Sequence, residues 1–403
     1  MSSRISNRWW VYLALGLGSV SYGCLLFIWF LLPAFFTPVI DELGLTGWQA
    51  GILAGAIPLT YIPLSLVSGL AIDRVGPRWA MGAGLLIFGC AGTARGFATG
   101  FPSLLAMTLL VGVGATGITF GLPKLVAALF PAQQVGSAST VYVLGSYAGS
   151  ASAFAIGRPI LGPALGGWRH VFIWSGLVVV AFAFVWFVGT ARVTFQPVND
   201  ERTFSIGSFR RDAGRVLSNR NMILLVVVGI AYLMVSHGLQ GWLVTIFETR
   251  GIRPAPAGLT TTVLVAGQVI GALSIPPLSD RFSIRRWAVV LAGLLVSSGT
   301  MMLLAFDSEL LLAASGIVAV GVGLGGVGPL LRAIPVELAG IGPRLTATAV
   351  GFIFAVGEVG GFLGPFLIGS LRDVTDSFTP GLAVVATGGI VIAAAGWQMT
   401  GIQ

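Results

Sequence analysis

Four ionisable side chains lie within otherwise apolar stretches, and their types set the chemistry within reach: Lys124, His237, Arg332 and Glu358. Charges at such depth are costly and usually face a cavity, which makes them the first functional candidates. Glu358 sits near the middle of a long apolar run, where a carboxyl can take a proton from one side and release it to the other. His237 titrates in the useful range and can bind proton or substrate. For each there is a plainer reading. Glu358 can neutralise a buried cation or satisfy glycine-exposed backbone, and His237 can be a neutral packing histidine.

Lys124 is the only lysine in a chain whose other basic residues are all arginines. Lysine offers a compact ammonium with a shiftable pKa, while Arg332 offers a permanently charged fork suited to a carboxylate. Together they would bias a cavity toward anions. The alternatives are that Lys124 snorkels to headgroups or braces an inner gate, and that Arg332 anchors at the interface or pairs with Glu337. Tyr22, Tyr61, Tyr147 and Gln268 can orient a substrate through hydrogen bonds, or serve as packing between helices. Arg95 and Arg158 are expected at the outer ends of their helices, anchoring there or attracting an anion.

The elements that must hold these residues follow from composition. The chain has 403 residues, 56% hydrophobic and only 9% charged, whereas soluble domains carry roughly 25% charge. That excludes a soluble protein and a disordered one. The net charge of +8 is read as a determinant of membrane orientation, with no nucleic-acid partner expected. Cys24 and Cys90 fall in apolar runs with no ligand spacing, so neither a disulfide framework nor a zinc site is implied. The sequence contains no phosphate-binding G-x-x-x-x-G-K-[ST] loop, no H-E-x-x-H and no nucleophile elbow. The expectation is transport without enzymatic chemistry and without cofactor or metal, driven by an ion or exchange gradient.

A helix crossing the bilayer needs roughly 20 apolar residues. Twelve such runs are expected, near 10–38, 50–72, 79–97, 103–130, 135–156 and 171–190, then 222–246, 258–278, 288–304, 310–332, 346–371 and 380–397. The first run follows Arg4 and Arg8 and is too long for a cleaved signal, so it is expected to stay in the membrane. Between the sixes lies the polar stretch 191–221, rich in arginine. The resulting division is an N-terminal half 1–190, a cytoplasmic linker 191–221 and a C-terminal half 222–403. Most of the arginines fall on the linker side, which places both termini in the cytoplasm of an inner-membrane protein.

The two halves echo each other. After the second run comes Gly69, Asp73, Arg74, Gly76 and Arg78 in the pattern G-x-x-x-D-R-x-G-x-R; after the eighth, Asp280 and Arg281 recur at the matching place. The fourth and tenth runs each carry a proline followed by a cation, Pro123 with Lys124 and Pro329 with Arg332. With six-plus-six spans and a central basic loop, the chain resembles the major facilitator superfamily over its whole length. That resemblance implies an all-α fold of two pseudo-symmetric six-helix halves, working by alternating access as a monomer. It also implies that Gly69, Asp73, Arg74, Gly76, Arg78, Asp280 and Arg281 form the conformational gate.

Asn7 to Trp10 and the passage from Gly121 to Pro131 are similar to small-anion permeases of the oxalate/formate, monocarboxylate, cyanate and nitrate groups. The nitrate group's paired arginines are absent from the second and eighth runs, so no subfamily's substrate residues carry over. Spans poor in amides and acids favour a small substrate recognised by charge. The expected function is transport of a small, carboxylate-bearing anion, coupled to protons or to anion exchange. Lys124, Arg332, Tyr22, Tyr61, His237 and Gln268 would contact substrate, and Glu358 with His237 would couple protons. The rival is a proton-coupled exporter of lipophilic or cationic drugs, for which an apolar cavity and Glu358 would suffice. The glycine series from Gly149 to Gly167 and from Gly351 to Gly369 is read as helix packing in both halves and not as support for that rival.

Overall fold

The computed structural model describes residues 2–193, 213–306, 310–338 and 340–401. Among the described residues the chain is helical without strands, because hydrocarbon offers no partner for backbone amides and each segment must satisfy its own. Twelve long helices take the expected places. The first six are Ser2–Ala34, Gly47–Val75, Pro77–Arg95, Phe101–Leu129, Ala132–Ser152 with its continuation, and Trp168–Gly189. The second six are Arg220–Thr249, Pro254–Phe282, Arg285–Ala305, Leu310–Glu337, Gly342–Thr375 and Thr379–Gln398. We number them spans one to twelve. Short helices Phe36–Leu43 and Gly162–Leu165 lie between spans.

Among the described residues, nine of these helices are long and apolar enough by themselves to cross a membrane, and Gly47–Val75 adds a tenth as a bent pair. Spans three and five do not pass by composition. Span five is rich in serine and glycine, and it runs on as a π-helix over Ala153–Leu161. Pro159 lies inside that stretch and has no amide hydrogen to give, so the regular ladder cannot continue through it. Large side chains such as Val178, Phe184, Leu273 and Ile270 are more than half exposed, as expected of helices facing lipid.

By contacts the chain parts into two compact units, Met1–Gly44 with Pro63–Thr203, and Leu45–Ile62 with Phe204–Gln403. Of the stretch 191–221, residues 194–212 lie outside the described residues, with Arg202, Arg210 and Arg211. So do the side chains of Arg4 and Arg8. Residues 213–218 are helical, and the Asn219 side chain caps span seven by accepting from the Asn221 and Met222 amides at 2.9 and 3.3 Å.

In the first unit, spans one, three and four are tied by Arg95. The expectation of an arginine at the outer interface is corrected here, since Arg95 is only 1% exposed. Its Nε donates to Thr108 Oγ1 at 3.2 Å and its Nη1 to the Ile28 carbonyl at 2.9 Å, partners from neighbouring helices that replace the headgroup water. In the second unit, spans seven and eleven approach until backbones touch. A Cβ on Gly360 or Gly364 would fall onto the carbonyls of Ile230 and Met234, so this face tolerates only glycine. The N-terminal part of span two packs here too. Its Gly47 and Trp48 amides donate to the two Asp373 carboxylate oxygens at 2.7 and 2.8 Å, a charge-assisted cap from span eleven.

Candidate substrate and proton site

Span seven is the wall on which the polar residues of the second unit assemble. Tyr232, Ser236 and Gln240 recur every four residues and therefore share one helix face, with His237 beside them. Gln240 Nε2 donates to Ser236 Oγ at 3.0 Å, and Gln268 Nε2 of span eight reaches the same hydroxyl at 3.5 Å. All three side chains are buried. The candidate Gln268 was read from the sequence; Ser236 and Gln240 were not. Their signal was the four-residue spacing with Tyr232 on an apolar helix.

His237 and Glu358 come together. The imidazole Nδ1 lies 3.9 Å from Glu358 Oε2, and the two side chains are 14% and 12% exposed. The imidazole is also hydrogen-bonded to the Gly361 backbone. Glu358 Oε2 is buried and has no hydrogen-bond partner among the described residues. Gly361 makes the room, because a Cβ there would stand 2.7 Å from both Glu358 Oε2 and His237 Nδ1. Two titratable groups at this separation in a dry setting can share one proton, and the charge of each depends on the other.

Arg332 lies toward the end of span ten and is exposed. Its Nη1 donates to the Gly328 carbonyl at 2.9 Å, and its guanidinium stands 4.2 Å from the ring centroid of Phe354 in span eleven. The Tyr232 hydroxyl approaches the same turn, 3.0 Å from where a Gly328 Cβ would sit. Glu337 is not its partner. That carboxylate accepts from Arg285 Nε at 2.6 and 2.8 Å, while Arg285 Nη1 lies 2.7 Å from Asp280 Oδ1. Arg332 is thus left with a stacked, oriented fork and most of its donors uncommitted among the described residues.

In the first unit the structure gives Lys124 two partners on span two, the Gly69 carbonyl at 2.7 Å and the Asp73 carboxylate. The signature loop and the lysine are therefore one cluster. Gly76 begins span three at φ +82°, with Pro77 in the first turn, where a missing amide hydrogen costs nothing. Arg78 donates from Nε to Thr190 Oγ1 at 3.1 Å and from Nη2 to the Phe187 carbonyl at 3.0 Å, tying span three to span six. Arg74 is exposed. The second loop repeats the plan with different residues: Asp280, Arg285 and Glu337 link spans eight, nine and ten, and Arg281 lies over the Phe282 ring at 5.8 Å. Tyr22 faces Tyr142 with ring centroids 6.0 Å apart in the first unit, and Tyr61 is buried in the second. Tyr22 and Lys124 on one side, and Tyr61, His237, Gln268, Arg332 and Glu358 on the other, belong to different units.

Among the described residues no group of three or more His, Cys, Asp and Glu side chains could hold a metal. Paired acid-cation loops at corresponding ends of two helical units, with a buried polar cluster inside an apolar one, define a multi-pass membrane transporter. A family model described as Major Facilitator Superfamily matches residues 1–365, and the chain belongs to that superfamily. It is a transporter and not an enzyme.

The chain is 25% identical over 377 residues to a putative tartrate transporter of Agrobacterium vitis, covering 86% of this chain and 80% of that protein. A 3-(3-hydroxy-phenyl)propionate transporter of Escherichia coli K12 is 26% identical over 363 residues, covering 88% and 85%. A quinolone resistance transporter of Acinetobacter baumannii is 23% identical over 364 residues, covering 85% and 82%. Among solved structures, an inward-facing bacterial homologue of the human lysosomal transporter Spinster superposes with a TM-score of 0.75 at 18% identity, covering 96% of this chain and 94% of that one. At that identity the likeness speaks for the fold alone.

Proposed function

We propose that this protein is a secondary active transporter that moves a small carboxylate-bearing anion across the cell's inner membrane, coupled to protons. The observation that carries the reading is the arrangement along span seven. The Arg332 guanidinium and the Tyr232 hydroxyl both lie around Gly328, an amide-hydroxyl cluster of Ser236, Gln240 and Gln268 follows one turn on, and the His237–Glu358 pair lies beside it. A carboxylate on the Arg332 fork gains two parallel charge-assisted bonds, and hydroxyl groups of the solute find the amides. A proton on the Glu358 and His237 pair would offset the anion's charge as the loaded site crosses the bilayer. The relatives described as a putative tartrate transporter and a 3-(3-hydroxy-phenyl)propionate transporter agree with the substrate class.

The two halves, 1–190 and 222–403 with the linker between them, would rock about the site in alternating access, with both termini cytoplasmic and a single chain as the working unit. Lys124 would serve the inner gate through Asp73, and the gate would be released when that pair parts. Tyr22 and Tyr61 are then secondary contacts. The test is uptake of labelled small hydroxy and aromatic carboxylates into proteoliposomes under an imposed pH gradient. Uptake that requires Arg332 and follows the gradient is expected; uptake that ignores the gradient and is unaffected by Glu358→Gln would exclude the proton step. The quinolone resistance relative supports a second reading, export of a lipophilic or cationic drug in exchange for the Glu358 proton. In that case Arg332→Gln would leave transport intact and Glu358→Gln would abolish it.

A further inference from the structure

At the end of the second unit opposite the Asp280–Arg285–Glu337 cluster, a polar cavity of about 240 Å³ opens where spans seven, eleven and twelve meet. It is lined by Thr249, Arg250, Arg372, Asp376, Ser377 and Thr379 among others. We propose that this cavity is a binding site for a small oxyanion, a carboxylate or a phosphate, separate from the cluster on span seven.

Three features on different elements converge. First, Arg250 lines the cavity and has donors to spare: its Nη2 donates to the Leu303 carbonyl at 3.0 Å, whereas its Nη1 is buried without a hydrogen-bond partner among the described residues. A buried guanidinium donor left unmade is costly, and a turn of the side chain toward the cavity would let an oxyanion relieve it. Second, Arg372 supplies another guanidinium, held over the Phe378 ring at 5.5 Å, with Asp373 Oδ1 only at 4.0 Å. The Asp373 carboxylate is already committed to the Gly47 and Trp48 amides. Third, span twelve begins at the cavity. Ser377 Oγ accepts from the Thr379 amide at 3.1 Å, and although Pro380 has no amide hydrogen, the first turn still carries the positive end of the helix dipole.

Asp376 is the one lining acid. It ends span eleven in a left-handed conformation at φ 51° and is exposed, so it can turn to water when an anion enters. Both arginines also lie at helix C-termini, which they favour electrostatically, but that role needs neither a cavity nor a ring of hydroxyls. An anion held by two forks and hydroxyls is recognised by its oxygens, and two sources fit: a free anion from solution or the phosphate of a lipid headgroup.

The experiment uses the full chain carrying Arg332→Gln, so that the span-seven site does not report, in nanodiscs of zwitterionic or of anionic phospholipid. Melting temperature is followed against succinate and inorganic phosphate, since a ligand of the folded state stabilises it with concentration. In zwitterionic discs a saturable rise with either anion is expected, abolished by Arg372→Gln and enlarged by Asp376→Asn. If neither soluble anion acts but anionic lipid raises the melting temperature in a manner lost in Arg372→Gln, the headgroup is the occupant and the site stands. No stabilisation by anions or lipid, or stabilisation untouched by both Arg372→Gln and Arg250→Gln, overturns it. Asp376→Asn cannot act through lost packing, so a flat response in that variant when anions do bind also counts against the site.

Discussion

The Glu358 carboxylate and the His237 imidazole lie 3.9 Å apart on spans eleven and seven, in a pocket that only a glycine at 361 leaves open. The proposed coupling depends on that separation. With Glu358→Gln the pair can no longer exchange a proton, so uphill accumulation under a pH gradient should fall to background while exchange of substrate for substrate persists. Parallel gradient-driven and counterflow assays in proteoliposomes check this. Loss of both modes together would show that Glu358 is needed for folding or binding instead.

The space at Gly361 gives a second prediction. Gly361→Ala places a methyl against both partners and should cut gradient-driven transport several-fold with little change in expression. Gly364→Val meets the Met234 backbone instead, and overpacking of this kind costs roughly 1–3 kcal/mol, so it should lower the melting temperature. A melting curve and a flux assay on each variant separate the two effects.

The Asp73–Lys124 pair should behave as a conformational contact. Both side chains are partly exposed, so their coupling to stability is expected to be small, roughly 0.2–1 kcal/mol. Their effect on transport should be larger. Asp73→Lys and Lys124→Asp are each expected to slow turnover, and the double exchange to recover part of it. A double-mutant cycle on transport rate measures that recovery; no recovery would separate the two residues functionally.

Beyond the first span, Glu42 accepts from Arg169 Nε at 2.7 Å and from Trp168 Nε1 at 2.6 Å. The Arg169 guanidinium holds its carboxyl below the usual carboxylate range. A carboxyl with a lowered folded-state pKa stabilises the fold above its unfolded pKa, and that contribution is lost as pH falls through the folded one. Glu42→Gln should therefore melt at the same temperature as the parent in strong acid and slightly lower near neutrality. Melting temperature across the acid range checks the sign.

Much of the fold could be read from the chain because lipid leaves it few choices. Long apolar runs must be helices, and Asp73-Arg74 echoed by Asp280-Arg281 marks the repeat. Spans three and five were also expected, although glycine and serine keep their hydropathy low. The partner choices were hidden. Lys124 meets Asp73 across 51 residues of sequence, and Glu337 goes to Arg285 and not to Arg332. Such pairings depend on helix rotation, and apolar stretches of near-uniform hydropathy do not encode it. For the same reason His237 and Glu358 were separate candidates until helix packing placed them together. Ser236 and Gln240 become legible only beside Gln268 of span eight, because the hydroxyl that both amides share is set by helix packing. Arg95 ends span three as expected, but its burial was not legible, since neither Ile28 nor Thr108 signals in sequence that it will accept from a guanidinium.

A carboxylate bound at Arg332 should move together with a proton. Labelled tartrate and 3-hydroxyphenylpropionate, offered to proteoliposomes with an inwardly directed proton gradient, test it most directly. Accumulation of one carboxylate class is expected, collapsed by a protonophore and absent in Arg332→Gln. Gradient-dependent movement of a lipophilic cation, with no carboxylate flux and no effect of Arg332→Gln, would contradict it.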